Sequence, residues 1–433
     1  MPWLLAPRLR VVVESEARAE AVLRFVYYYR GLPELTQAVH IGALVEALRG
    51  LGHEVEPVFP VAMAPGAAGS PSPLARLLGT VRGCMPRAIW DVLRAGADWR
   101  AARTLRARLL AVRPDAIYER YIPLGGRCSR LATEFHLPYL LEVNETARLI
   151  ADRLSAAAAR RAFQVEDEVL ARAGRVIAVS GVLRDHLVSL GVAPERVTVM
   201  HNGIHAQQYA QAAEDRPRTR AKLGLEGRFA VGCLQSWHGV DGLYAEMLGV
   251  LMQLVRRLPE RVPSAVLVMI GGGVALEEAK RRLAETAGGS QHMRFTGPVA
   301  HSEVPALLAG LDAGLVVHHS DFTSPLKVFE YLAAGAVCVA CDRPNLREMI
   351  AENETGRFFP PKDVDALLQV IADLAADPAA RERLSKAGRE KALRDHTWEA
   401  NARGVVALAT ELRQTVVGGH PGVRREDRGV SHP

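Results

Sequence analysis

Between Ala313 and Asp342 the chain reads AGLVVHHSDFTSPLKVFEYLAAGAVCVACD, and no other stretch restricts the fold so narrowly. Leu315–His319 and Val337–Cys341 are short apolar runs rich in β-branched residues, as in strands buried on both faces of a parallel sheet. Between them Ser324 is expected to cap a helix, Pro325 to take its first position and Gly335 to follow its last turn. A right-handed crossover would then bring the start of that helix to the carboxyl end of the first strand. Open α/β sheets bind ligands there. Backbone N–H groups and a positive helix end make the place receptive to phosphate. Lys327 adds a charge in the first turn, and Glu330, three residues on, shares its face. A carboxylate in that position suits the hydroxyl pair of a ribose, so the stretch reads as a nucleotide-diphosphate site.

The same alternation runs through most of the chain. LRFVYYY at Leu23–Tyr29, ending at Arg30 and Gly31, reads as a first strand and glycine turn, and Gln37–Gly50 as a helix. LGHEV, DAIYERY, PYLLEVNE, RVIAVS and RVTVMHNG continue the series. After a polar stretch at Gln207–Arg220 a second series begins with FAVGCLQSWHG, AVLVMIGGG and MRFTG. At 433 residues the chain is long enough for two domains of about 200 residues each. The expected class is α/β, with two Rossmann-like doubly wound parallel-sheet domains facing a central cleft. The expected boundaries are an extension at 1–22, a first domain at 23–206 and a second at 207–395. A helix follows at 396–414 and a disordered tail at 415–433.

The net charge of +6 suits an anionic nucleotide or an anionic lipid. No basic stretch is interleaved with aromatic residues, and nucleic acid is not an expected partner. Leu74–Arg113, within a helical insertion at about 65–113, carries nine arginines against two aspartates, with Trp90 and Trp99. It reads either as a solvated face of packed helices or as a peripheral surface for anionic membrane headgroups. The five cysteines are scattered and odd in number, which fits a reducing compartment. Cys338 and Cys341 read as small core residues. No uncharged apolar run approaches the roughly 20 residues of a membrane span. A cytoplasmic protein is expected, with any membrane contact at the inner face. His318, His319 and Asp321 do not make a metal site, because adjacent strand residues point to opposite faces.

SPLKVFEYLAAG at 324–335, HNGI at 201–204 and WHGVD at 237–241, with YERY, LGHEV and RFTG in support, resemble the retaining GT-B glycosyltransferases of family 4, in a WHG/SPLK-type branch. The resemblance covers nearly everything from Leu23 to Leu412. It implies transfer of a sugar, with retention, from a nucleotide-diphosphate sugar to a glycan or lipid-linked acceptor, as in cell-surface polysaccharide synthesis. It further implies an acceptor held chiefly by the first domain, a donor held by the second and a last helix that crosses back to the first. No cofactor and no metal are implied.

Residue by residue, the resemblance implies that Glu330 binds ribose hydroxyls and that the Leu326 and Lys327 amides hold the diphosphate. Gly31 falls at the glycine turn near the donor, Asn202 in the turn between domains, and Gly272 in the turn whose backbone holds the base. Phe322 stands where the family's first glutamate is expected. Cys233 and His238 stand where an arginine and a lysine are common, and Asn144 stands in place of a histidine. Lys327, His238 and Asn144 are therefore the candidate catalytic groups, with Ser324 beside the donor. His40, Glu119 and Arg120 are candidates for acceptor or sugar contact, although a helix-start role for His40 and a loop-ordering ion pair for the other two fit equally. A GT-B-like epimerase or phosphorylase lacks its signature here. The departures at Phe322, Cys233 and Asn144 keep open a non-catalytic nucleotide-sugar or glycan-binding module.

Overall fold

The computed structural model describes residues 21–30, 35–59, 87–212, 214–237, 243–286, 292–317 and 320–418. Two six-stranded sheets organise them, and every strand pairing within each is parallel. The first holds β1 (Arg24–Tyr28), β2 (Glu54–Val58), β3 (Ala116–Arg120), β4 (Tyr139–Val143), β5 (Arg175–Ala178) and β6 (Val197–Val199). Its order is β2-β1-β3-β4-β5-β6. The helices between them are α1 (Leu35–Gly50), α2 (Arg87–Val112), α3 (Arg127–Glu134), α4 (Ala156–Arg172) and α5 (Gly181–Ser189). β3 and β4 are buried at every position, so they are mostly apolar, and the charged residues at their carboxyl ends, Glu119, Arg120 and Glu142, need polar partners.

Two short helices, α6 (Ala206–Ala212) and α7 (Arg216–Leu223), lead into the second sheet. It holds β7 (Phe229–Leu234), β8 (Ala265–Ile270), β9 (Met293–Phe295), β10 (Ala313–Val316), β11 (Val337–Cys341) and β12 (Gly356–Phe359). Around it lie α8 (Leu243–Arg261), α9 (Leu276–Thr286), α10 (Val304–Ala309), α11 (Leu326–Ala334), α12 (Pro344–Met349), α13 (Val364–Ala376) and α14 (Pro378–Asp395). The order β12-β11-β10-β7-β8-β9 places the reversal of strand order between β7 and β10. Ligands of such sheets bind at that reversal, beyond the carboxyl ends of the strands.

The last helix, α15 (Trp398–Gly418), packs on α1 and β4 of the first sheet. Trp398, Ala402, Val405, Ala409 and Leu412 supply its buried stripe. The chain thus crosses between the sheets twice, and the crossings run side by side. Ile204 N–H donates to His396 O at 2.9 Å and Trp398 N–H to Ile204 O at 3.1 Å. The expectation of a tail from residue 415 is corrected for 415–418, which continue α15. Glycine and proline gather only from Gly418 onward, and Thr415 Oγ1 still donates to Glu411 O in helical register. Residues 419–433, residues 1–20 of the expected extension and residues 60–86, which include the insertion as far as residue 86, lie outside the described residues. Its described part is α2.

Gly314 on β10 is a tight packing constraint at the reversal. A Cβ there would stand 2.3 Å from the Tyr331 ring of α11. Gly314→Ala is expected to destabilise the second domain by about 1–3 kcal/mol through overpacking, read as a lower Tm in differential scanning calorimetry.

Candidate active site

β7 and β10 pair at only two positions, Val231 with Ala313 and Gly232 with Gly314, and then diverge. The Tyr331 hydroxyl enters the gap. It accepts from Leu234 N–H at 2.6 Å and reaches Leu315 O at 3.4 Å, replacing ladder bonds that the diverging strands cannot make. Above the gap α11 begins. Pro325 is its N-cap, with no side chain capping the first turn. The expectations for Ser324 and Pro325 are therefore corrected by one position. Ser324 is drawn away because its hydroxyl accepts from Asn202 N–H of the first domain at 3.0 Å. Asn202 Nδ2 donates to Ser324 O at 2.5 Å.

Lys327 lies in the first turn of α11, partly buried, with Nζ donating to Gln235 Oε1 at 2.8 Å across the gap. Burial lowers the pKa of its ammonium group, opposed by the nearby Cys233 and Glu330. Glu330 is buried one turn later, reached by the Tyr209 hydroxyl of α6 at 3.4 Å. Burial pushes its carboxyl up to about 7, against the pull of Lys327 and Tyr209. Gln235 and Tyr209 were not singled out in the sequence. Gln235, the first residue past an apolar strand at the reversal, carried a readable signal; Tyr209 carried none.

Residues 271–273 turn against the chain that leaves β7. Trp237 N–H donates to Gly272 O at 2.8 Å and Ala275 N–H to Trp237 O at 3.0 Å. Gly271 and Gly273 have φ of +120° and +137°, and a Cβ on either would stand 2.2 Å from the carbonyl oxygen of Gln235 or Trp237. Only glycine allows this approach. Gly272 itself abuts Pro298.

On the first sheet the site gathers around Glu142 of β4. Its carboxylate accepts from the Tyr118 hydroxyl at 2.7 Å, from Asn144 Nδ2 at 2.6 Å and from Arg120, and His40 Nε2 stands 3.2 Å away. Burial alone would raise its pKa, but Arg120 and His40 hold it well below the usual carboxylate range. Burial and Arg120 lower the pKa of His40, whose ring meets Trp398 edge-on at 4.7 Å. His40 lies in the second turn of α1, not at its start, because the helix begins at Leu35.

The expectation for Glu119 is also corrected. Adjacent strand residues face opposite sides, so Arg120 turns to Glu142 while Glu119 turns away to Tyr139 and Cys128. Arg120 is itself buried in its ion pair. Cys128, Cys233, Cys338 and Cys341 are buried and form no disulfide among the described residues.

The two domains meet through the loops at the carboxyl ends of β5 and β6. Ser180 Oγ donates to Phe322 O at 2.6 Å and caps α5 by accepting from Leu183 N–H. Glu348 of α12 accepts from Gly181 N–H at 2.6 Å and Val182 N–H at 3.1 Å. Phe322 packs on the core of the first domain, and Asp321 pairs with Arg343 at 3.1 Å. Gly31, His238, His318 and His319 lie outside the described residues. A cavity of about 470 Å³ between His136, Arg172 and Leu412 lies at the amino ends of β4 and β5, and none of the expected site residues lines it.

Two doubly wound domains with facing carboxyl edges and a last helix returning to the first define the GT-B fold. Solved structures share it. One is sucrose-phosphate synthase from Thermosynechococcus elongatus, with a TM-score of 0.68 and 19% identity over 91% of this chain and 100% of that one. Another is Anabaena HepE in complex with UDP and glucose, with a TM-score of 0.62 and 15% identity over 92% of this chain and 100% of that one. The glycosyl transferase 4-like domain matches residues 36–203, and glycosyl transferases group 1 matches residues 244–391. The two fall on the two sheets, and the chain belongs to these glycosyl transferases. It is 27% identical to a glycogen synthase of Mycobacterium tuberculosis over 307 residues, 69% of this chain and 70% of that one. It is 30% identical to a GDP-mannose-dependent alpha-(1-6)-phosphatidylinositol monomannoside mannosyltransferase of Mycolicibacterium smegmatis over 225 residues, 49% of this chain and 56% of that one.

The raised pKa of Glu330 has a measurable consequence. A carboxyl at about 7 when folded and near 4.5 when unfolded costs stability as the pH rises between those values. Below 4.5 the group is neutral in both states and the cost vanishes. Glu330→Gln is expected to stabilise the protein at pH 8 by on the order of 3 kcal/mol, shrinking to about 1 kcal/mol or less at pH 5. Thermal denaturation at the two pH values checks this.

Proposed function

We propose that the protein transfers a glycosyl group, with retention of anomeric configuration, from a nucleotide-diphosphate sugar to a glycan or lipid-linked acceptor. The observation that carries the reading is Lys327, held by Gln235 over the gap between β7 and β10, beside an uncapped helix start and one turn from buried Glu330. The Leu326 and Lys327 amides and the Lys327 ammonium group would stabilise the departing diphosphate. Glu330 would hold the ribose diol. The turn containing Gly272 would meet the base through its backbone.

The relatives named above act on GDP-mannose or build glycogen, and HepE was solved with UDP, which supports a nucleotide-sugar donor. The acceptor would lie against the first domain near Asn144. His238 and Gly31 are assigned to the donor side by the family resemblance. Front-face transfer needs no metal in this reading, since the leaving phosphate oxygen takes the acceptor's proton.

The place of action in the proposal is the cytoplasm, at the inner face of the cell membrane. Among the described residues no helix is long and apolar enough to cross a membrane. On α2, Trp99, Arg100, Arg103 and Leu110 are exposed, and Arg103 lies over the Trp99 ring at 5.0 Å. Such a mixed face suits anionic headgroups. Sedimentation with phosphatidylglycerol vesicles, absent with phosphatidylcholine and reversed by salt, is the expected result.

The donor site is tested by thermal shift with UDP-, GDP-, ADP- and dTDP-sugars on the wild type and Glu330→Ala. A donor at about 100 times its Kd adds about 2.7 kcal/mol. The expected outcome is a shift with one nucleotide class, absent in the variant. No shift with any donor on folded protein sinks the reading. Anomeric NMR signals of the product test retention.

A further inference from the structure

We propose that Glu142 is a positioning residue that turns the Asn144 amide oxygen toward the cleft, where it accepts a hydrogen bond from a sugar hydroxyl. The inference rests on the glycosyl-transfer reading above and adds to it how the first domain grips the saccharide.

Glu142 and Asn144 are two residues apart at the end of β4 and share one face. The Glu142 carboxylate is ionised and accepts only. It is ringed by donors from three elements: His40 on α1, Tyr118 and Arg120 on β3, and Asn144 beyond β4. Asn144 must therefore present its NH₂ to Glu142, at 2.6 Å. The reverse orientation would set two acceptor oxygens against each other. The amide oxygen is left facing away from the carboxylate, and among the described residues no donor is bonded to it.

Asn144 is only partly buried, at the carboxyl edge that faces the second domain. A sugar in the cleft offers hydroxyl donors, and an amide oxygen is a neutral acceptor for one of them. It orients the hydroxyl and does not take its proton, since an amide does not titrate near neutral pH. The hydroxyl belongs either to the donor sugar or to the acceptor, and the experiment separates the two.

Nucleotide release is measured with UDP-glucose and GDP-mannose, in water alone and with octyl glucoside or octyl mannoside added. Thermal shifts with UDP and GDP run alongside. Asn144→Ala is expected to fold with a lowered Tm, because buried Glu142 loses a donor, to keep the wild-type nucleotide shift and to lose about tenfold or more in turnover. A loss already present in water assigns the hydroxyl to the donor sugar. A loss confined to the octyl glycoside-stimulated release assigns it to the acceptor. Unchanged rates in both arms overturn the proposal.

Glu142→Gln retains Asn144 but no longer dictates its orientation, so the same loss with intact nucleotide binding is expected. Asn144→Asp keeps the test decisive should Glu142→Gln fail to fold. At pH 8 it places two carboxylates together and turnover falls. On acidification the protonated Asp donates to Glu142 and turns its carbonyl outward, and turnover relative to wild type recovers. A pH-independent loss in Asn144→Asp contradicts the positioning role. A wild type inactive with every donor removes the transfer reading and this inference together. An active wild type with unaffected variants removes this inference alone.

Discussion

The separation of β7 from β10, held open by one hydroxyl, is the constraint on which the donor side depends. Parallel neighbours normally satisfy each other's backbone along their whole length. Here they part after two residue pairs, and Tyr331 takes over at Leu234 N–H. The ring fits only because residue 314 has no side chain. The gap gives Gln235 a place at the strand end, and Gln235 in turn fixes Lys327. A phosphate-binding place at the reversal of a doubly wound sheet is thus built by packing before any charge is considered.

Two buried glutamates then take opposite states for reasons that can be counted. Glu142 has Arg120, Asn144, Tyr118 and His40 around it, and the charged form wins over burial. Glu330 has one hydroxyl at 3.4 Å and a lysine that Gln235 holds elsewhere, and burial wins. A group saturated with donors is an anchor. One short of donors gains most from a ligand that brings two hydroxyls. The same contrast of environments that separates acid from base in active sites here separates a fixed support from a receptive contact.

Much of this was legible in the residues. β11 occupies the expected Val337–Cys341, and Gly335 follows α11 in the left-handed conformation. Runs of β-branched residues and helix stops are local signals, and they survived into the fold. The cap at Ser324 failed because its hydroxyl found a partner 122 residues away, in Asn202, which no local pattern announces. The pairing of Glu119 with Arg120 failed for a reason that was legible: strand alternation forbids it. The Glu142 cluster was hidden, since His40 stands 102 residues off and Tyr118 24. Side-chain identity showed which residues carried chemistry, but not which of them would meet.

The interdomain contacts explain why the departure at Phe322 is not simply a lost carboxylate. Its carbonyl is held by Ser180 and its ring packs on the first domain's core, while Asp321 is turned out to Arg343. The loop before α11 is therefore fastened to the β5–β6 side of the first sheet, and Glu348 reinforces it at the start of α5. These fastenings sit to one side of the cleft. Asn144, on the neighbouring β4 edge, retains an amide oxygen facing away from its own support. In a fold of this kind the first domain must hold one sugar ring against the other without closing on itself. A polar group braced from behind by a saturated carboxylate meets that requirement, and a glutamate at position 322, drawn into the interdomain packing, would have carried a charge into an apolar contact.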